Sequence, residues 1–151
     1  MNLPPAQLKR FQEISTRIQS LSKELSALLV EHCNLLQMSE DAEKEQSILK
    51  HSLEITAQHY GVSISELMGR RRTARVAEAR QVVFWLLIRA CGMTTREVSK
   101  LTGRDHHTIL HGVRRVEERR SVYRMVLEDT NTLRSLVYFA AIEGNEKPPT
   151  A

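Results

Sequence analysis

Residues 94–116 read TTREVSKLTGRDHHTILHGVRRV. Thr94 and Glu97 stand at the spacing of a capping box, in which each side chain satisfies the other's free backbone N–H. A helix is therefore predicted to begin at Thr94 and to end near Leu101, with Thr102 and Gly103 forming a tight turn. Asp105 is a natural N-cap for the next helix, HHTILHGVRRVEERR. Ile109, Leu110, Val113 and Val116 recur at helical spacing and form its inward stripe. Helix, glycine-containing turn and helix make a helix-turn-helix. In that arrangement the second helix enters the major groove of DNA, and its first turn reaches base edges.

Outward from this stretch, VAEARQVVFWLLIRACG (76–92) is the most apolar segment, a predicted central core helix stopped by Gly92. Before it lies a basic loop, RRRTAR (70–75), and a short helical turn, VSISELMG (62–69), with Ser63 and Glu66 at capping-box spacing. A helix from Ile48 to Tyr60 is predicted to stop at Gly61, and a last helix to run from about Ser121 to Ile142. At the N-terminal end Phe11, Ile14, Ile18, Leu21, Leu25, Leu28, His32 and Leu35 follow alternating steps of three and four. This is a coiled-coil seam of about four heptads, broadened by Leu8, Leu29 and Leu36. The width fits a four-helix dimer or packing against the rest of the chain. The polar run MSEDAEKEQ (38–46) marks a hinge or an exposed continuation of the helix. No strand-length alternating segment occurs, so the expected class is all-α.

The chain has 151 residues and a net charge of +4. The charge is uneven. Arg70 to Arg124 contain 14 Lys/Arg against five acids, a local +9 in an otherwise acidic chain. Such a basic block points to a polyanion, nucleic acid or an anionic membrane surface. No apolar run approaches the roughly 20 residues of a membrane span, and the N-terminus lacks a secretory signal pattern. Cys33 and Cys91 are too far apart in sequence for a metal-type pair. A cytoplasmic, nucleoid-associated protein with reduced thiols is expected.

His107 and His111 are spaced for one helix face to offer both to zinc, but Thr108 stands where a zinc protease needs glutamate. Asp105 serves better as a cap, so no metal site is predicted. Cys91 lacks a neighbouring base, and no phosphate-binding G-x-x-x-x-G-K-[ST] loop occurs. No catalytic residue and no cofactor are assigned; the expected protein is not an enzyme.

Residues 48–137 resemble the C-terminal DNA-binding domain of the bacterial chromosomal replication initiator DnaA. The resemblance rests on HYGVSISELMGRRR (59–72), ARQVVFWL (79–86) and GRDHHTILHGVRRVEE (103–118). It implies that Arg72, beside Arg70 and Arg71, enters the minor groove. It implies base reading by Asp105 and His106, and base or phosphate contacts for Arg80, Gln81, Arg104, Thr108 and Arg115, with His111 near the duplex. His107 departs from the family signature, which has threonine there, and Thr102 replaces a turn glycine. A helix stands where the initiator's ATPase module would precede this domain.

These features predict three segments: an oligomerisation helix (1–45), a DnaA-like helix-turn-helix domain (46–143) and a flexible tail (144–151). Double-stranded DNA is the expected partner, recognised at initiator-type sites, in a homo-oligomer built through Phe11, Ile14, Ile18, Leu21, Leu25, Leu28 and Leu35. Such a protein would regulate replication initiation or transcription without ATPase activity, and no membrane partner is expected. The alternative is an adaptor, whose N-terminal helix captures another protein while the head localises it.

Overall fold

The computed structural model of the protein describes residues 4–143. Six α-helices follow one another: α1 (Pro5–Tyr60), α2 (Ile64–Met68), α3 (Ala74–Trp85), α4 (Thr95–Thr102), α5 (His106–Val122) and α6 (Arg124–Glu143). No strand occurs among the described residues. The predicted tail, 144–151, lies outside them.

The chain divides into two units, Met1–Glu43 and Lys44–Ala151. In the first unit, α1 carries its apolar seam uncovered: Phe11 is 65% exposed and even Leu21 is 48% exposed. Of the two readings of residues 38–46, hinge or continuing helix, the second holds, so no separate helix begins at Ile48. Residues 38–46 contain neither proline nor glycine, and the i→i−4 ladder runs through them.

In the second unit, henceforth the head, α3 is the central element. Val76, Ala79, Val82, Val83, Phe84 and Trp85 are all buried on it. Leu49, Leu53 and Ala57 of α1, Leu67 of α2, Val98 of α4, and Ile109, Val113 and Val116 of α5 complete the core with Leu133 and Val137 of α6. The inward stripe predicted for α5 is thus buried, except Leu110, which is half-buried. Gly112 lets α5 approach α3: a Cβ there would lie 3.0 Å from Phe84 Cδ2. The close approach fixes the angle at which α5 presents its first turn.

Two boundaries depart from the sequence pattern. After Trp85 the central helix widens into a π-helical turn, Leu86–Ala90, before Gly92 ends it at a φ of +69°. Leu86 and Leu87 are fully buried in this turn, and nothing in their residue types distinguishes them from the α-helical residues before them. The last helix begins later than expected, because α5 continues to Val122 and the chain breaks at Tyr123, where φ is −109° and ψ is 111°. The extended residue turns the chain so that Leu133 and Val137 meet the core. Arg120 stabilises the same corner: its guanidinium lies 4.3 Å from the Trp85 ring centroid and its Nη2 donates to Asn131 Oδ1 at 2.8 Å.

Candidate nucleic-acid interface

Both predicted capping boxes form. At α2, Glu66 N–H donates to Ser63 Oγ (3.1 Å) and Ser63 N–H donates to Glu66 Oε2 (3.0 Å). At α4, Glu97 N–H donates to Thr94 Oγ1 (3.2 Å) and Thr94 N–H to Glu97 Oε2 (2.7 Å). The bonded backbone N–H of Ser63 or Thr94 is the leading cause that holds each carboxyl below its usual range. Both depressed values mean that this stabilisation is complete above the unfolded-state pKa near 4.5 and is lost as pH falls through the folded-state values. The α4 start should therefore fray in acid. Loss of amide protection at Val98 as pH falls through the depressed Glu97 value, and no such step in Glu97→Gln, is the expected result.

The turn between α4 and α5 closes on Gly103, whose φ of +66° suits a residue without a Cβ. Gly103 N–H donates to Ser99 O at 2.9 Å, and Ser99 Oγ donates to Arg104 O at 2.7 Å. Thr102 fits as the last residue of α4, its hydroxyl donating to Val98 O at 2.7 Å. Asp105 then caps α5 as expected, accepting from His107 N–H at 3.1 Å. Capping leaves Asp105 exposed, and His106, His107, Thr108 and His111 are exposed with it. The rings of His106 and His107 meet edge to face, 5.8 Å apart. Arg115, two helical turns on from Thr108, is also exposed.

The basic loop lies beside this turn and is tied to it. Arg80 Nε donates to Leu67 O (2.8 Å), and its Nη2 contacts the carbonyls of Glu66 (3.0 Å), Gly69 (2.9 Å) and Arg71 (3.1 Å). Arg104 Nη2 donates to Met68 O at 3.2 Å and to the same Gly69 carbonyl. One carbonyl thus joins arginines from α3 and from the turn before α5. Sequence reasoning missed this junction, because carbonyl acceptors leave no signature in residue type.

Arg80, for which the resemblance implies a base or phosphate contact, has its Nε and Nη2 engaged within the head. Its fork faces the head's own backbone, where it shapes the loop. Gln81 likewise has an internal partner, since its Oε1 accepts from Arg119 Nη2 at 2.8 Å. Arg119 also pairs with Glu78 at 2.8 Å, which seats α5 on α3. Arg70, Arg71 and Arg72 are exposed; Arg71 pairs with Glu66 at 2.6 Å. Arg70 and Arg72 have no ion pair among the described residues. Arg75, exposed in the first turn of α3, extends the same basic strip and was not singled out by sequence.

Electrostatic crowding is visible at Arg80. Its affinity for the proton is lowered, first by partial burial and then by the positive charges of Arg104 and Arg72. The guanidinium groups of Arg80, Arg104 and Arg72 thus gather at one loop.

Gly69 is the steric key to the loop. Its φ of −80° is open to any residue, but a Cβ would lie 2.8 Å from Ser65 O, a backbone atom. Gly69→Ala is expected to cost about 1–3 kcal/mol of stability, since the loop must shift away from α2. Urea unfolding of the two proteins checks this, and an unchanged midpoint would show that the loop yields freely.

Among the described residues, no group of three His, Cys, Asp or Glu side chains is assembled to hold a metal, and no helix is long and apolar enough to cross a membrane.

Residues 51–116 match the family described as the bacterial dnaA protein helix-turn-helix. The chromosomal replication initiator protein DnaA of Caulobacter vibrioides is 40% identical over 82 residues, covering 52% of this chain and 16% of that protein. The protein of the same name from Thermomicrobium roseum is 35% identical over 98 residues, 64% of this chain and 21% of the relative. The chain thus spans about a fifth or less of the length of these relatives. Two solved structures share the fold. The crystal structure of a DNA replication initiation factor has a TM-score of 0.65 at 22% identity, covering 85% of this chain and 37% of its own. Replication initiator DnaA bound to AMPPCP and single-stranded DNA has a TM-score of 0.59 at 20% identity, over 91% of this chain and 43% of its own.

Proposed function

Because residues 51–116 belong to the helix-turn-helix family of bacterial DnaA proteins, we propose that this chain binds double-stranded DNA at sites resembling those of the replication initiator. In this reading it regulates replication initiation or transcription by occupying such sites, with no ATPase step of its own. The observation that carries the reading is the junction at Gly69. It ties the arginine loop to the turn before the exposed, histidine-rich start of α5.

The roles then divide by chemistry. The first turn of α5 enters the major groove, where Asp105 accepts from cytosine N4 and His106 and His107 hydrogen-bond base edges. Arg72 and Arg70 reach into the adjacent minor groove, whose narrow A·T-rich form attracts guanidinium. Arg104, Arg115, Thr108 and His111 hold the flanking phosphates, while Arg80 and Gln81 act by positioning. Phosphate contacts fix register, and base contacts choose sequence.

Selection from a random duplex pool tests the reading. Wild-type protein should enrich one short motif, and His106→Ala should cost about 1–3 kcal/mol on that motif while relaxing choice at the facing base. Equal losses on random and selected DNA would contradict base reading by His106. His107→Thr restores the family residue, whose methyl group suits thymine. It should shift preference at one or two positions by about 1–3 kcal/mol. Identical motifs from the two proteins would place His107 away from the bases.

A second reading is favoured by the uncovered apolar seam of α1. In it the protein is an adaptor, with the seam capturing another protein. A gel shift by the purified chain alone supports the regulator; a shift only after a second protein is added supports the adaptor.

A further inference from the structure

The homo-oligomer expected from the α1 seam could run its helices in either direction, and the charges beside the seam bear on which. With Phe11, Ile18 and Leu25 at heptad position a and Ile14, Leu21 and Leu28 at d, the flanking g positions are Arg10, Arg17, Glu24 and Glu31. Two cations precede two anions. All four side chains are exposed, and none has an ion pair among the described residues of its own chain. The e positions are Ser15, Ser22, Leu29 and Leu36.

In a parallel pair, each g residue faces the e residue of the following heptad on its partner. That sets Arg10 and Arg17 against Ser15 and Ser22, and Glu24 and Glu31 against Leu29 and Leu36. No ion pair results, and two carboxylates face leucines. Ile14 would also meet its own copy at d, a position where two-stranded parallel coils favour leucine.

In an antiparallel pair, a layers meet d layers and g faces g. Full overlap then places Phe11 on Leu28, Ile14 on Leu25 and Ile18 on Leu21 of the second copy. Each core layer between Phe11 and Leu28 joins a Phe or Ile to a Leu, whereas Leu35 falls opposite Pro4 at the end of the overlap. The same register sets Arg10 on Glu31 and Arg17 on Glu24, four opposite-charge pairs by symmetry. It also sets Leu8 on Leu29 at e, so a leucine that widens the seam gains an apolar partner. His32 meets Gln7, polar on polar. We infer that α1 docks with a second copy of this chain as an antiparallel coiled coil, in the register that places Phe11 on Leu28. This inference rests on the self-association that the seam of α1 leads one to expect from the sequence. It puts the two Glu43 positions at opposite ends of the coil, about 70 Å apart at 1.5 Å rise per residue.

The exposed natural cysteine Cys33 reports the direction. Nitroxide labels on Cys33 in full-length Cys91→Ser protein should lie about 40 Å apart in this register. A parallel pair would bring them within about 20 Å. The same measurement on wild-type chain labelled at Cys33 alone, verified by mass, replaces the variant if Cys91→Ser does not fold. A charge swap supplies a second readout. Arg10→Glu with Arg17→Glu, and separately Glu24→Arg with Glu31→Arg, turn all four antiparallel pairs repulsive. Each variant should dissociate at concentrations at least about tenfold higher than wild type, and mixing the two should restore association. Sedimentation of wild type as a monomer at tens of micromolar would overturn self-association itself. A stable dimer with short Cys33 distances, or with swaps that leave association unchanged, would overturn only the antiparallel register.

Discussion

Raising monovalent salt from about 50 to about 200 mM is expected to weaken duplex binding roughly a thousandfold. Exposed cations of the head between Arg70 and Arg115 lie on the basic loop, the start of α3, the turn at Arg89, α4 and α5. If about six of them displace condensed counterions, the log–log slope of affinity against salt is roughly −5. Substituting one phosphate-contacting cation, Arg115→Ala, should make that slope shallower by about 1 and weaken all duplexes alike. Affinity titrations at four or five salt concentrations measure both. A slope flatter than about −2 would mean that fewer than three phosphates are neutralised, too few for the interface proposed here.

Arg80→Ala is expected to destabilise the head by about 3 kcal/mol and to abolish tight duplex binding with it. Its fork contacts the carbonyls of Glu66, Leu67, Gly69 and Arg71, so truncation leaves acceptors at the C-terminal end of α2 without their donor. Charge-assisted hydrogen bonds are each worth about 1.5–3 kcal/mol, and four that share two nitrogen atoms do not add fully. Arg80→Lys keeps the charge but loses the planar fork, so it should recover less than half of the loss. Denaturant unfolding reads the stability, and binding of the selected duplex reads the loop. A Lys variant equal to wild type in both would show that charge, not geometry, is what Arg80 supplies. Wild-type stability with weakened binding in Arg80→Ala would instead return Arg80 to the phosphate contacts that its sequence position implies.

The same pair of arginines marks the limit of reading residues along the chain. Both Arg80 and Arg104 stand out as basic residues near a predicted turn. Their common acceptor is a backbone carbonyl 11 residues from one and 35 from the other. Nothing in residue type announces an acceptor that every residue carries. The resemblance to the initiator family implies a DNA contact for Arg80, and the fold gives its Nε and Nη2 a structural task that the sequence does not announce.

By itself the sequence determined the helix-turn-helix, because its determinants are local. Thr94 and Glu97, Gly103, and Asp105 each act on backbone groups within four residues of themselves, and the spacing of Ile109, Val113 and Val116 selects the buried face of α5. The seam from Phe11 to Leu35 and the order of charge from Arg10 to Glu31 were legible for the same reason. Only the tertiary structure decided where the regular pattern gives way. The π-helical turn at Leu86–Ala90 and the break at Tyr123 leave no local mark in composition, whereas the unbroken run of α1 through Ile48 decides between the hinge and the continuing helix that the sequence allowed. At the first two, the backbone departs from α-geometry where burial against distant helices is at stake, with Leu86 and Leu87 sealed in the core and Leu133 and Val137 brought into it. Burial of that kind depends on residues far apart in the chain, and local propensities, worth less than about 1 kcal/mol per residue, yield to it.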